Sequence, residues 1–259
     1  MRLHARWQRG QDSSRPVLVW LHGFLGNGDE WRAIQPHFSE WPQLSLDLPG
    51  HGGSSASRVE GFEALSGTIA RTLHGYQIQR YWLIGYSLGG RIALSHACQP
   101  DSEGLSGVIV EGAHPGLSCE NERRERGESD ARWARLFRQQ PLLKTLDLWY
   151  RQPVFNDLNE NERQETIALR RQNHPDALAA MLLATSLARQ PDLTAELRQL
   201  RLPVHAICGE RDAKFLHLAQ RAALPCHSIP SAGHNAHRAN PQAFAAQLRQ
   251  ILTQCKDSP

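Results

Sequence analysis

Short apolar runs recur along this chain, separated by stretches with helical periodicity. Val17 to Leu21, Leu44 to Leu46, Tyr81 to Ile84, Val108 to Val110, Val204 to Cys208 and His227 to Ile229 predict strands buried on both faces. Amphipathic stretches over 61–75, 88–98, 214–223 and 241–253 lie between or after them and predict helices. Repeated strand-then-helix alternation predicts an α/β fold with a mainly parallel, doubly wound sheet, whose ligands gather at the carboxyl ends of the strands. The alternation breaks between Pro115 and Leu193. There the pattern is helical only, over roughly 129–139, 142–151, 159–172 and 175–188, punctuated by Pro141, Pro153, Pro175 and Pro191. The expected organisation is a core in two parts, 1–114 and 194–259, with a helical cap inserted at 115–193.

Composition narrows the class. The 259 residues are 40% hydrophobic and 21% charged, as in a soluble globular protein large enough for a substantial core. A net charge of +3 is too small to argue for a nucleic-acid footprint, and no apolar run reaches membrane-spanning length. The N-terminal residues lack the apolar segment of a signal peptide. Five scattered cysteines with no C-x-x-C pair suggest a reducing compartment, hence the cytoplasm, and no disulfide or zinc framework. No nucleic-acid or membrane partner is expected.

The run Gly85-Tyr86-Ser87-Leu88-Gly89 joins a predicted strand to a predicted helix. Flanking glycines allow a sharp turn that lifts the serine hydroxyl into reach of a substrate, with a helix N-terminus behind it. A serine hydroxyl reacts only when a histidine takes its proton and a carboxylate orients that histidine. The α/β-hydrolase chain order is serine, acid, histidine. After Ser87 come Gly209-Glu210-Arg211-Asp212 and Ser231-Ala232-Gly233-His234, each following a predicted strand. Asp212 and His234 are the favoured partners; Glu210 and Glu111 are the competing acids. His237 lies three residues beyond His234, but no H-E-x-x-H is present, so no metal is expected.

The loop His22-Gly23-Phe24-Leu25-Gly26 follows another strand, where this fold places one oxyanion donor. The backbone N–H groups of Phe24 and Leu88 are the expected pair. Asp47 to Ser54 predicts a rigid wall at the same sheet end. Arg91 stands one helical turn below Ser87, an unexpected cation for an apolar ester.

Several runs together resemble one family. They are Val19 to Phe24, Asp47 to Ser54, Leu83 to Arg91, Val108 to Leu117, Trp149 to Phe155, Cys208 to Phe215 and Ala232 to Arg238. The G-Y-S-L-G-G-R, E-G-x-H-P-G-L and W-Y-x-Q-P-V-F stretches are the diagnostic ones. The chain resembles the 2-succinyl-6-hydroxy-2,4-cyclohexadiene-1-carboxylate synthases of menaquinone biosynthesis, essentially end to end. The resemblance implies an α/β-hydrolase fold, and a lyase that expels pyruvate from a small-molecule tricarboxylate. It also implies a base made of Ser87, His234 and Asp212, and no metal or organic cofactor. It places the family's carboxylate-binding positions on Arg91 and Arg126, with Tyr86 beside the nucleophile and Trp149, Phe155 and Arg170 lining the pocket. Arg123 competes with Arg126 for its role. A carboxylesterase or thioesterase working through an acyl-enzyme is the alternative, and a non-enzymatic binder a third. A monomer or weak homo-oligomer is expected.

Overall fold

A computed structural model describes residues 1–255. Its strands are β1 (Ala5–Gln8), β2 (Val17–Leu21), β3 (Gln43–Leu46), β4 (Tyr81–Tyr86), β5 (Leu105–Glu111), β6 (Val204–Gly209) and β7 (Cys226–Ile229). They form one sheet in the order β1-β3-β2-β4-β5-β6-β7, with β1 antiparallel to β3 and every other pair parallel. The helices are α1 (Phe62–Gly75), α2 (Leu88–Ala97), α3 (Glu120–Gln139), α4 (Leu142–Tyr150), α5 (Glu160–Arg170) and α6 (Pro175–Ala184). They continue with α7 (Thr194–Gln199), α8 (Ala213–Arg221), α9 (Ala236–Ala239) and α10 (Pro241–Gln254).

The apolar runs are explained by burial on both faces. Every residue of β2 is buried, and its side chains divide by parity. Val17, Val19 and Leu21 join Leu83, Val108, Ile69 of α1 and Ile92 of α2 in one layer. Leu18 and Trp20 join Trp82, Ile109 and Phe244 and Leu248 of α10 in the other. Among the described residues no helix is long and apolar enough to cross a membrane.

Three elements depart from the sequence reading. β1 carries no apolar run because it is an edge strand with exposed side chains at Arg6, Trp7 and Gln8. α3 begins at Glu120, well before 129, because its first turns (Glu120 to Arg126) are polar and show no apolar periodicity. The last helix expected within 115–193 stops at Ala184 rather than 188. Beyond it the chain turns away, and the carbonyl of Thr185 accepts a hydrogen bond from Arg91 Nη2 (2.7 Å).

Between β5 and β6, helices α3 to α6 build an apolar cluster of their own. Phe137, Leu146, Tyr150, Phe155, Ile167, Leu178 and Leu182 belong to it, and so does Leu25 from the loop after β2. A buried charge network ties this layer to the sheet. Arg170 Nη2 of α5 lies 2.6 Å from Glu30 Oε2, in the 3-10 turn Gly28–Trp31. Glu30 Oε1 faces His237 Nε2 at 3.4 Å and Arg238 Nη1 at 3.6 Å. Glu111, at the end of β5, accepts the backbone N–H of His237 at 3.0 Å and meets its Nδ1 at 2.6 Å. Burial alone would raise the Glu30 carboxyl, but Arg170 and His237 outweigh it and hold the group below its ordinary range. Burial alone would lower His237, but Glu111 and Glu30 outweigh it and push the imidazole up to about 9.

The sign of the resulting pH dependence follows. A histidine raised from 6.5 to about 9 on folding contributes stability in full below pH 6.5 and loses it as pH rises through 9. Thermal melts across pH 6 to 10 are expected to show falling stability over that interval, and His237→Gln is expected to flatten it. Glu30→Gln, which strands Arg170, is expected to cost about 3–5 kcal/mol, checked by urea denaturation at neutral pH.

Candidate active site

The site begins with the backbone at Ser87. It sits between β4 and α2 at φ 48 and ψ −106, a left-handed conformation costing a non-glycine residue about 1–3 kcal/mol. Close packing enforces it. A Cβ on Gly85 would fall 2.5 Å from the backbone of Gly89, and one on Gly89 would fall 2.4 Å from the Leu21 carbonyl oxygen. The Ser87 N–H donates to the Glu111 carbonyl at 2.7 Å, which fixes the turn against β5. Leu88 opens α2, so its N–H has no acceptor within the helix.

The second expected donor lies on a loop held from three sides. The Leu25 N–H donates to His51 Nε2 at 3.1 Å, and the Leu25 carbonyl accepts Asn173 Nδ2 at 2.8 Å. Leu25 itself takes a φ of 72, and the N–H of Gly26 returns to the Gly23 carbonyl at 3.0 Å. His51 Nδ1 donates to the Pro49 carbonyl (2.9 Å), which leaves Nε2 as the acceptor. Burial, helped by His22, pushes His51 down to about 3 and keeps it neutral. The loop from Asp47 thus acts as a wall, with His51 as its point of contact. The Phe24 ring meets His51, Phe137 and Trp149 at 5.5, 5.8 and 5.0 Å between centroids.

Asp212 follows β6 and His234 follows β7, and both converge on Ser87. His234 Nδ1 lies 2.8 Å from Asp212 Oδ2, and His234 Nε2 lies 3.2 Å from Ser87 Oγ. Nδ1 donates to the carboxylate, so Nε2 is left to accept the serine proton. Phe215, Tyr86 and Phe155 surround the imidazole at 4.7, 5.4 and 5.9 Å. Gly112 leaves room for it: at φ +56, a Cβ there would fall 2.6 Å from His234 Cε1. The competing acids stand elsewhere, Glu111 on His237 and Glu210 at the surface.

A cavity of about 570 Å³ opens over this group, walled by α3, the end of α4, residues 152–157 and the first turn of α8. Ser87, His234, Arg91, Arg126, Trp149 and Phe155 all line it, whereas Arg123 does not. Among the described residues the Arg91 guanidinium meets only neutral acceptors, Gln190 Oε1 at 2.6 Å and the Thr185 carbonyl at 2.7 Å. Burial, then Arg126, pushes it down to about 9. Arg126 Nε donates to Asp130 Oδ1 at 2.8 Å.

The expected oxyanion residues Phe24 and Leu88 are not among the residues that line the cavity, and two of the expected substrate-binding residues, Arg170 and Tyr86, also lie outside its lining. Arg170 is buried in the Glu30 ion pair, with its Nε 3.3 Å from the Tyr150 hydroxyl, because that carboxylate compensates its charge in the interior. Tyr86 is buried behind His234, where its hydroxyl donates to Asn235 Oδ1. Burial and the nearby Glu111 raise that phenol well above its ordinary value.

Other groups at the site were not assigned from sequence. His114 lines the cavity as a neutral imidazole, lowered to about 4 chiefly by burial, with Nδ1 accepting the Gly116 N–H at 3.0 Å. Gln190 bridges Arg91 and the His114 carbonyl, and Asn173 holds the Leu25 loop. His114 stood within a motif, but Gln190 and Asn173 carried no local signal.

The fold and this serine–histidine–aspartate arrangement define an α/β hydrolase. A family model described as the alpha/beta hydrolase fold matches residues 16–241. A 2-succinyl-6-hydroxy-2,4-cyclohexadiene-1-carboxylate synthase of Escherichia coli O1:K1 / APEC is 50% identical over 97% of this chain and 99% of its own length. The synthase of the same name from Enterobacter sp. (strain 638) is 54% identical over 94% of this chain and 95% of its own. The solved structure of MenH from S. aureus superposes with a TM-score of 0.91 at 26% identity, over 98% of this chain and 99% of that one. Within the α/β hydrolases, the chain belongs to the family of these synthases.

Gly112→Ala tests the geometry directly. The added methyl displaces the His234 ring, and phosphonylation of Ser87 by a fluorophosphonate is expected to slow by about 100-fold while the circular dichroism spectrum is unchanged.

Proposed function

We propose that this chain is a carbon–oxygen lyase of menaquinone biosynthesis. It converts 2-succinyl-5-enolpyruvyl-6-hydroxy-3-cyclohexene-1-carboxylate to 2-succinyl-6-hydroxy-2,4-cyclohexadiene-1-carboxylate and pyruvate. The observation that carries the reading is the placement of the Ser87–His234 pair on the same cavity as Arg91 and Arg126, in a chain 50% identical to such synthases over nearly its whole length.

The chemistry is a proton abstraction followed by loss of a leaving group. Ser87 Oγ, deprotonated by His234 Nε2, takes the proton from the ring carbon next to the succinyl ketone. The electron pair forms the C2–C3 double bond, the existing double bond moves to C4–C5, and the C5–oxygen bond breaks. The leaving group departs as the enolate of pyruvate and takes back a proton. Asp212 holds His234 in the tautomer that accepts the serine proton and stabilises its cationic form. Negative charge develops on the ketone oxygen, where the N–H groups of Phe24 and Leu88 donate to it. One such donor contributes about 3–4 kcal/mol in the transition state. Arg91 and Arg126 hold carboxylates of the substrate, and Trp149 and Phe155 wall the ring. Residues 115–193 act as a cap over a core formed by 1–114 and 194–259. The five cysteines are free thiols, in keeping with work in the cytoplasm on a small-molecule substrate.

The experiment is pyruvate release from freshly generated substrate, with spontaneous elimination subtracted, run beside an activated acetate ester. Ser87→Ala is expected to lower kcat by at least about 1000-fold, and Arg91→Ala to raise KM and lower kcat with folding intact. A serine-dependent burst on the ester, without accelerated pyruvate release, would instead make the protein an acyl-transferring esterase.

A further inference from the structure

Two further cations that the reaction as described leaves unused line the catalytic cavity, Arg211 and Lys214, and of these Lys214 also lines a second cleft beside it. Lys214 lies in the first turn of α8, two residues after Asp212, and lines the cavity with Ser87, Arg91 and Arg126. It makes no ion pair among the described residues, and its ammonium stands 5.5 Å from the centroid of the Phe215 ring that packs on His234. A cation in the first turn of a helix opposes the helix dipole, so stability does not account for a lysine there. The residue is exposed and lines the cavity, and partial burial, then Arg126, pulls the ammonium below its ordinary value, while Asp212 works the other way.

The position of Lys214 adds a second argument. A further cleft of about 720 Å³ adjoins the cavity, and Lys214, Arg126, His114 and Leu187 line both. The two cations therefore flank the junction. Arg126 spends only its Nε on Asp130, whose other oxygen is held by the Ser186 hydroxyl at 2.7 Å. His114, the third polar group at the junction, is held neutral by burial and by Lys214, Arg91 and Arg126 in that order. Arg126 has Asp130 as its counter-ion, and Glu122, Glu125 and Asp192 line the adjoining cleft, so of the two junction cations it is Lys214 whose charge an anion in the cavity compensates.

We propose that Lys214 is a substrate-binding, specificity-determining residue that, with Arg126, holds one carboxylate of the tricarboxylate at the junction of the cavity and the adjoining cleft. The proposal rests on the lyase reading for the identity of the ligand. Lys214 follows the N-cap Asp212 by two residues at the start of α8, so a carboxylate bound there is placed at a fixed offset from the base. Arg91 and Arg126 approach from α2 and from α3, and Lys214 supplies the remaining side. A substrate with fewer carboxylates leaves this ammonium unpaired.

The test compares Lys214→Met, which keeps the length and removes the charge, with Lys214→Arg. In steady-state pyruvate release, Lys214→Met is expected to raise KM at least 10-fold with kcat within about threefold, and Lys214→Arg to recover most of the loss. A direct binding arm uses tricarballylate, an inert tricarboxylate, and glutarate, which lacks its central carboxylate. By calorimetry the wild type is expected to prefer tricarballylate by at least about 10-fold, and Lys214→Met to lose that preference at an unchanged melting temperature. An unaltered KM, an unaltered preference in Lys214→Met, a wild type with no preference, or failure of Lys214→Arg to recover would overturn the proposal. A wild type that releases no pyruvate sinks the lyase reading instead, and the binding arm still decides Lys214.

Discussion

The backbone of Ser87, held at φ 48 between β4 and α2, is the constraint on which the rest of the site depends. The hydroxyl is presented only because the chain reverses there, and the reversal fits only because Gly85 and Gly89 lack side chains. The same turn aims the N-terminus of α2 at the cavity and sets Arg91 one turn down the helix. Glu111 then extends the constraint in two directions. Its carbonyl fixes the Ser87 N–H, and its carboxylate fixes His237. Through Glu30 the network continues to Arg170, so the strained turn and the helical insertion are joined by buried charge.

Arg170, which is buried, and Arg91, which is half-buried, stand in different electrostatic states, and the difference separates scaffold from site. Arg170 has a carboxylate at 2.6 Å, and its guanidinium is held above its ordinary value despite complete burial. Among the described residues Arg91 has only amide and carbonyl oxygens as acceptors, and burial pulls it down to about 9. A paired arginine anchors one layer to another and has little left to offer a ligand. An unpaired one in a cavity costs free energy that a bound carboxylate offsets. That distinction removes Arg170 from the cavity wall and keeps Arg91 there.

Much of this was legible in the sequence. The buried strands announced themselves as apolar runs because both faces of the sheet are covered. The order of Ser87, Asp212 and His234 located the loops because each follows a strand end. What could not be read has a common physical cause: it depends on distant contacts or on the absence of an apolar pattern. β1 is an exposed edge, and the first turns of α3 are polar throughout. Arg170 and Arg126 look alike in sequence, and only the fold sets Glu30 beside one and a cavity beside the other. Gln190 and Asn173 act on Arg91 and Leu25 from far along the chain, with no local signature.

A serine poised by a histidine ordinarily suggests an acyl-enzyme. Under the proposed function the cations on the cavity favour a polyanion, and the same serine serves as the base. The most direct measurement uses substrate deuterated at the ring carbon next to the succinyl ketone, with kcat/KM for pyruvate release compared against the protiated form. The account predicts a normal primary isotope effect and no covalent adduct on Ser87 by intact-protein mass spectrometry. Absence of the isotope effect, together with an acyl adduct on Ser87, would contradict it.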